Sequence, residues 1–193
     1  MQSTRQKIMA TIYPAILFMG KVFGAKAKVV TNQQHIKSME PLPLNTIILN
    51  NGKPLSTLLT NNKKILFVNT ASGCGYTPQY AQLQQLQNNN NNVVVIAFPA
   101  NDFLNQEAKN NEAIAQFCQV NYGVSFPLSQ KTTVVGNNMH PIFSWLTSPA
   151  KNGWCSQTPE WNFSKYLVAE TGELLGYFGS GVSPLDKRLT ALL

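Results

Sequence analysis

The sequence predicts an α/β domain in which a mixed central sheet is covered by helices on both faces. Three observations carry that prediction. Two continuous apolar runs, "KKILFVNTAS" and "VVVIAFPAN", have the character of strands buried on both sides. Each is followed by a segment whose apolar residues recur at helical spacing. The chain then folds back on itself around Thr171-Gly172, a hairpin pattern, before a last amphipathic stretch. With 193 residues, 44% of them hydrophobic, it is long enough for one packed domain with a short extension rather than two domains.

The elements follow in order. The first 39 residues contain no acid. Arg5 and Lys7 precede the apolar stretch "IMATIYPAILFMG", and "AKA" follows at 25–27, the pattern of a secretory signal. The stretch is shorter than the ~20 residues a transmembrane helix needs. It also fits an organellar transit peptide, a plain anchor helix or a loosely docked tail, so location stays open among exported (periplasmic or secreted), organellar and cytoplasmic. Residues 29–43 are polar and Pro-spaced and read as a linker or an extended lead-in. The boundary is drawn between an extension, 1–38, and a folded domain, 39–193.

"NTIILNNGKPLSTLL" reads as an N-terminal β-hairpin around Asn51-Gly52. After the first buried strand, Thr77 has the chemistry of an N-cap and Pro78 that of a first helical residue. Tyr80, Leu83 and Leu86 then mark one helix face, and the asparagines at 88–92 close that helix as a loop. After the second strand, "NNEAIAQFCQVNYG" is a helix with Ile114, Phe117 and Cys118 on one face. "TTVVG" reads as a short strand, "HPIFSWLTS" as a helix, and 149–160 as a loop. "FSKYLVAETGELLGYFG" is the hairpin and "PLDKRLTALL" the final helix. This order is a thioredoxin-like layout with added elements, and it contains no internal repeat.

Composition removes several function classes. The net charge of +7 reflects a shortage of acids (8) more than a wealth of bases (15). Arginine occurs only at Arg5 and Arg188, and no basic stripe with interleaved aromatics is present, which argues against nucleic acid as a partner. Three scattered cysteines are too few for a disulfide scaffold, and their odd number leaves at least one free thiol. His35 and His140 lie far apart, neither with a cysteine at metal-ligand spacing, so neither a metal site nor a cofactor is expected.

What remains is a cysteine in "SGCGYT" at a strand-to-helix junction. A helix N-terminus favours an anion, so the Cys74 thiolate is expected to form more readily than in a free cysteine. Gly73 and Gly75 are expected to leave the sulfur open to a small electrophile. The competing reading is a buried structural cysteine. The position three residues on, where a dithiol motif has its second cysteine, is Thr77, so any resolution must come from a more distant thiol or an outside one.

The blocks "NTASGCGYTPQYAQLQQL", "AFPANDFLNQEAKNNEAIAQFCQVNYGVSFPL", "HPIFSWL" and "EWNFSKYLV" together resemble glutathione peroxidases, from about residue 40 to the C-terminus. The resemblance implies a thioredoxin-like fold and reduction of hydrogen peroxide or organic hydroperoxides. By position, Cys74 matches the peroxidatic residue, and Gln106, Trp161 and Asn162 match the other members of the family's active-site tetrad. Neutral donors of this kind can steady both a thiolate and a departing oxygen. Taken singly, Trp161 also reads as aromatic packing, and Gln106 and Asn162 as loop polarity. Cys118 matches the resolving cysteine of the thioredoxin-dependent branch, which forms an internal disulfide; its competing reading is a packed helix-face cysteine. Cys155 reads equally as a spectator or a substitute resolving thiol.

The chain also departs from the family. "FPANDF" stands where many relatives have "FPCNQF", which places Asp102 where they have glutamine, and Gly176 and Tyr177 replace a basic residue in the hairpin. With so few arginines, a site for glutathione carboxylates is poorly supplied. No insertion of the kind tetrameric relatives use for assembly separates "GVSFPL" from "HPIFSWL". The expectation is therefore a monomeric thiol peroxidase with thioredoxin, or glutathione, as electron donor. The alternatives are a peroxide sensor or redox relay using the same cysteines, and a non-catalytic thioredoxin-like interaction domain.

Overall fold

The computed structural model describes residues 27–55, 62–107 and 109–193. The signal-like segment and residues 56–61 of the N-terminal hairpin lie outside these. Among the described residues, no helix is long and apolar enough to cross a membrane.

The strands are β1 (Val29–Thr31), β2 (Lys64–Thr70), β3 (Val93–Pro99), β4 (Lys165–Val168) and β5 (Leu174–Phe178). They form one five-stranded sheet in the order β1-β5-β4-β2-β3. β2 and β3 are parallel, joined by the crossover helix α1 (Gln79–Asn89), whereas β4 and β5 form an antiparallel hairpin beside β2. α2 (Asn111–Tyr122), α3 (Pro141–Leu146), α4 (Pro149–Asn152) and α5 (Lys187–Thr190) complete the fold.

Period-two alternation divides the core into two layers. Leu66 and Val68 of β2, with Val93, Val95 and Ala97 of β3, face a layer covered by Tyr80, Leu83 and Leu86 of α1 and Ile114, Phe117 and Cys118 of α2. Ile65 and Phe67, with Ile96 and Phe98, face the other, covered by Ile142, Phe143, Trp145 and Leu146 of α3 and by Ile47, Leu49 and Leu55. Helices on both faces are thus the direct result of central strands that are apolar on both sides. α2 is capped at both ends. The Asn110 side chain accepts the Ala113 N–H, and Gly123 takes the left-handed conformation, φ 63°, that ends the helix.

Several expectations need correction. The Asn51-Gly52 turn forms, with Gly52 at φ 81°, but within the described residues it closes an isolated Ile48–Pro54 bridge rather than extended strands. "TTVVG" is not a strand. Thr132 makes one bridge to Ala100, and the Val134 N–H turns to the Asp102 carboxylate at 2.8 Å. The 149–160 loop begins with the single turn α4, and the final helix is one turn, capped by Asp186. Of the two readings of the polar stretch at 29–43, the extended lead-in is the one that fits residues 29–31. Val29, Val30 and Thr31 pair with Phe178, Tyr177 and Gly176, so the sheet reaches back ahead of residue 39.

The lead-in continues across the molecule to α4, where the Met39 and Glu40 N–H groups donate to the Lys151 carbonyl at 2.8 and 3.0 Å. Gly153 lies beneath it at φ 95°, where an added Cβ would overlap the Lys37 carbonyl oxygen. Gly153→Ala is therefore expected to destabilise the protein by about 2–4 kcal/mol. The check is a lowered urea midpoint with an unchanged slope.

Candidate active site

Cys74 lies in the turn between β2 and α1. Thr77 organises that turn. Its Oγ1 accepts the Cys74 N–H at 3.1 Å and lies 2.9 and 2.7 Å from the Ala71 and Cys74 carbonyl oxygens. Thr77 is therefore not the helix cap. Pro78 occupies that position and α1 starts at Gln79, while the Thr77 hydroxyl folds back into the cysteine loop.

The sulfur itself differs from expectation in two ways. Cys74 is only 1% exposed, so the flanking glycines do not open it to solvent. Gly73 serves a different purpose: its N–H donates to the Gln106 carbonyl at 3.0 Å, and a Cβ there would sit 3.1 Å from the same oxygen. Burial also pushes the thiol above its ordinary 9.0. The Tyr76 N–H, the Trp161 indole, the Asn162 amide and the Gly75 N–H pull it back without overcoming the loss of water. Burial thus works against the readily formed thiolate that a helix N-terminus would favour, even though Sγ accepts the Tyr76 N–H at 3.4 Å.

Trp161 and Asn162 act directly on this sulfur, and Gln106 lies one bond further out. Trp161 and Asn162 come from the turn before β4. The Trp161 ring packs on Phe103 at 5.6 Å between centroids, and Asn162 is fully buried. The Asn162 Nδ2 donates to Gln106 Oε1 at 2.8 Å, so Gln106 joins the group through Asn162 and through its own carbonyl bond to Gly73. Asn162 Oδ1 is buried with no hydrogen-bond partner among the described residues.

Glu107 was not singled out by sequence reasoning, since a loop glutamate reads as surface charge. It is fully buried, and its Oε2 accepts both the Ser72 N–H at 2.7 Å and the Ser72 hydroxyl at 2.8 Å. Burial raises its carboxyl, and the two Ser72 bonds oppose that rise. The only sequence signal was its place beside Gln106 in a chain with 8 acids.

Cys118 is fully buried on the inner face of α2, in the same core layer as Cys74. Burial pushes its thiol up to about 12, opposed by the Tyr80 hydroxyl and reinforced by the Glu107 charge. Cys155 is buried in the opposite layer, its N–H donating to Asn152 Oδ1 at 2.7 Å. All three thiols are free. Among the departures, Asp102 ties the 132–134 segment to this loop through Val134, and the Phe178 ring lies over Gly176, where a Cβ would come within 3.1 Å.

Residues 45–147 match the family model for glutathione peroxidase. Among curated proteins, the glutathione peroxidase homolog BsaA of Bacillus subtilis is 38% identical over 137 residues, covering 70% of this chain and 86% of that protein. The glutathione peroxidase-like peroxiredoxin HYR1 of Saccharomyces cerevisiae is 38% identical over 135 residues, covering 69% and 83%. Among solved structures, T. cruzi GPX1 superposes with a TM-score of 0.56 at 27% identity, covering 76% of this chain and 92% of that one. A thioredoxin-family thiol:disulfide interchange protein from Chlorobium tepidum shares the fold, with a TM-score of 0.52 at 14% identity over 82% of this chain and 96% of that one. With a cysteine held among neutral donors in a thioredoxin-like frame, the chain belongs to the glutathione peroxidase family and is a thiol peroxidase.

Proposed function

We propose that Cys74 is the peroxidatic residue, that Trp161, Asn162 and Gln106 stabilise the charge that develops during peroxide cleavage, and that Cys118 resolves the product. One observation carries this reading: the buried Cys74 Sγ accepts the Tyr76 N–H at 3.4 Å, and the Trp161 indole, the Asn162 amide and the Gly75 N–H each act on it in the direction that favours the thiolate. In the reaction, Cys74 Sγ attacks one oxygen of a hydroperoxide, an S–O bond forms and the O–O bond breaks. The proton of the thiol ends on the departing oxygen, giving a sulfenic acid and an alcohol or water. The neutral donors act where negative charge moves from sulfur to oxygen, in a site that excludes water. The unpartnered Asn162 Oδ1 supplies an acceptor for the hydroperoxide O–H.

Cys118, once deprotonated, then attacks the sulfenic sulfur; a disulfide forms and water leaves. Two electrons from an outside dithiol reopen the disulfide. A thioredoxin-type protein suits this step better than glutathione. Arg188, the one arginine among the described residues, is held by Asp186 at 2.9 and 2.7 Å and offers no cluster for glutathione carboxylates. The short, uninterrupted connection into α3 supports a monomer. The catalytic unit in this reading takes in β1 together with residues 39–193.

The test is rapid-mixing oxidation of Cys74 by hydrogen peroxide, paired with the pH profile of Cys74 alkylation. Trp161→Ala and Asn162→Ala are each expected to slow oxidation on the order of 10²-fold. In the parent protein the thiol lies above 9.0, so alkylation keeps rising with pH beyond that value. Removing a donor that favours the thiolate moves the midpoint higher still and lowers the rate at neutral pH. Unchanged oxidation in both variants would remove the donors from the mechanism.

A further inference from the structure

The turn that carries Trp161 and Asn162 is bonded to one buried side chain on the strand leading to Cys74. Asn69 of β2 is fully buried, and both ends of its carboxamide are used. Its Nδ2 donates to the Trp161 carbonyl at 3.1 Å, and its Oδ1 accepts the Ser164 N–H at 2.9 Å. Its main chain bonds the same turn, accepting the Phe163 N–H at 2.6 Å and donating to the Ser164 carbonyl at 3.3 Å. Asn69 thus makes four hydrogen bonds to residues 161–164, bracketing Asn162 on both sides.

The turn needs such a partner. Phe163 is fully buried and held at φ 68°, a left-handed conformation that is costly for a residue with a Cβ. Its ring packs edge-on to Tyr80 of α1 at 5.3 Å, and its carbonyl accepts a hydrogen bond from the buried Lys165 Nζ at 2.7 Å. These contacts fix Phe163, and the Ser164 hydroxyl adds a second bond to the Trp161 carbonyl at 3.0 Å. Among the described residues, only the Asn69 side chain links the turn on both sides of Asn162 to the strand that continues into the cysteine loop. The main-chain bonds are independent of residue type, so the side chain contributes specifically the two bonds to Trp161 and Ser164.

We propose that Asn69 is a positioning residue for the peroxidase reaction, holding the Trp161 and Asn162 donors in register with the Cys74 sulfur. The inference rests on the proposed role of those donors. Asn69 touches neither sulfur nor substrate, and it acts through the turn. Donors that stabilise moving charge depend steeply on placement, and an error of about 1 Å costs on the order of 10²-fold.

The experiment measures hydrogen peroxide oxidation of Cys74, its alkylation pH profile and thermal stability in Asn69→Ala and Asn69→Asp, beside Trp161→Ala and Asn162→Ala. Asn69→Asp is nearly isosteric and keeps the acceptor for Ser164 while losing the donor to Trp161. The expected order of oxidation rate is parent, then Asp, then Ala, with Ala slower by about 10- to 100-fold and an alkylation midpoint displaced upward. A drop in melting temperature with rate and midpoint unchanged would mean a merely structural asparagine and would overturn the proposal. If the Trp161 and Asn162 variants slow oxidation and the Asn69 variants do not, the clamp alone fails. If the Trp161 and Asn162 variants react at the parent rate, the donor reading fails and the clamp falls with it. Should the Asn69 variants not fold, amide exchange in the parent protein decides. The Ser164 N–H, whose acceptor is the Asn69 side chain, is expected to exchange as slowly as the amides of β2, and fast exchange there would refute the clamp.

Discussion

Cys74→Ser is expected to reduce peroxide turnover by more than about 10³-fold, the scale on which loss of a nucleophile acts. The residue is buried and its main chain is held by the Thr77 hydroxyl, so the loop has reason to survive the change. Serine keeps a hydrogen-bonding group facing the Tyr76, Trp161 and Asn162 donors but cannot be oxidised to the sulfenic level. Mass analysis after one equivalent of peroxide should show one added oxygen or its disulfide descendant on Cys74 in the parent and neither in the variant. Residual oxidation at Cys118 or Cys155 with undiminished turnover would move the chemistry to another thiol. An unchanged parent protein under the same treatment would point to a non-catalytic domain.

Cys118→Ser is expected to separate the two halves of the cycle. The first peroxide reduction, at the Cys74 site, should keep its rate within about twofold. Turnover supported by a thioredoxin-type dithiol should fall at least tenfold, because an intramolecular attack with its high effective concentration is replaced by direct attack from solution. Peptide mapping should show the Cys74–Cys118 disulfide in the parent and a persistent sulfenic acid in the variant. Undiminished turnover would remove Cys118 from the cycle. In the proposed cycle, the burial of this residue is expected to make the resolving step slow to start. Disulfide geometry brings two Cα atoms within about 7 Å, and a fully buried thiol at about 12 on a twelve-residue helix must be both exposed and deprotonated to attack. Each ~1.4 kcal/mol needed to open α2 extends the life of the sulfenic acid tenfold, and with it the exposure to a second peroxide.

Much of this arrangement was legible beforehand, for physical reasons that differ by element. β2 and β3 declare themselves because strands buried on both faces must be apolar throughout, and the inner face of α2 at Ile114, Phe117 and Cys118 follows from helical spacing alone. β1 was missed because three residues in a polar neighbourhood carry no periodicity; its pairing is supplied by β5, which lies nearly 150 positions away in the chain. "TTVVG" has the composition of a strand, but the Asp102 carboxylate claims one of its amides. At the site, residue types were readable and environment was not. The acidity of Cys74 depends on how much water the folded loop excludes, and the usefulness of Glu107 and Asn69 depends on partners 35 and 92 positions away.

The division of the core into two layers has a further consequence for a protein that handles oxidants. Three free thiols within one small domain allow three pairwise cross-links. The sheet works as an insulating partition. Cys74 and Cys118 share one compartment, whereas Cys155 is sealed in the other, among Tyr166, Tyr177 and the packing of α3. Under the proposed mechanism, oxidising equivalents that enter at Cys74 are offered one internal thiol on the same side of the sheet, and Cys155 lies across it.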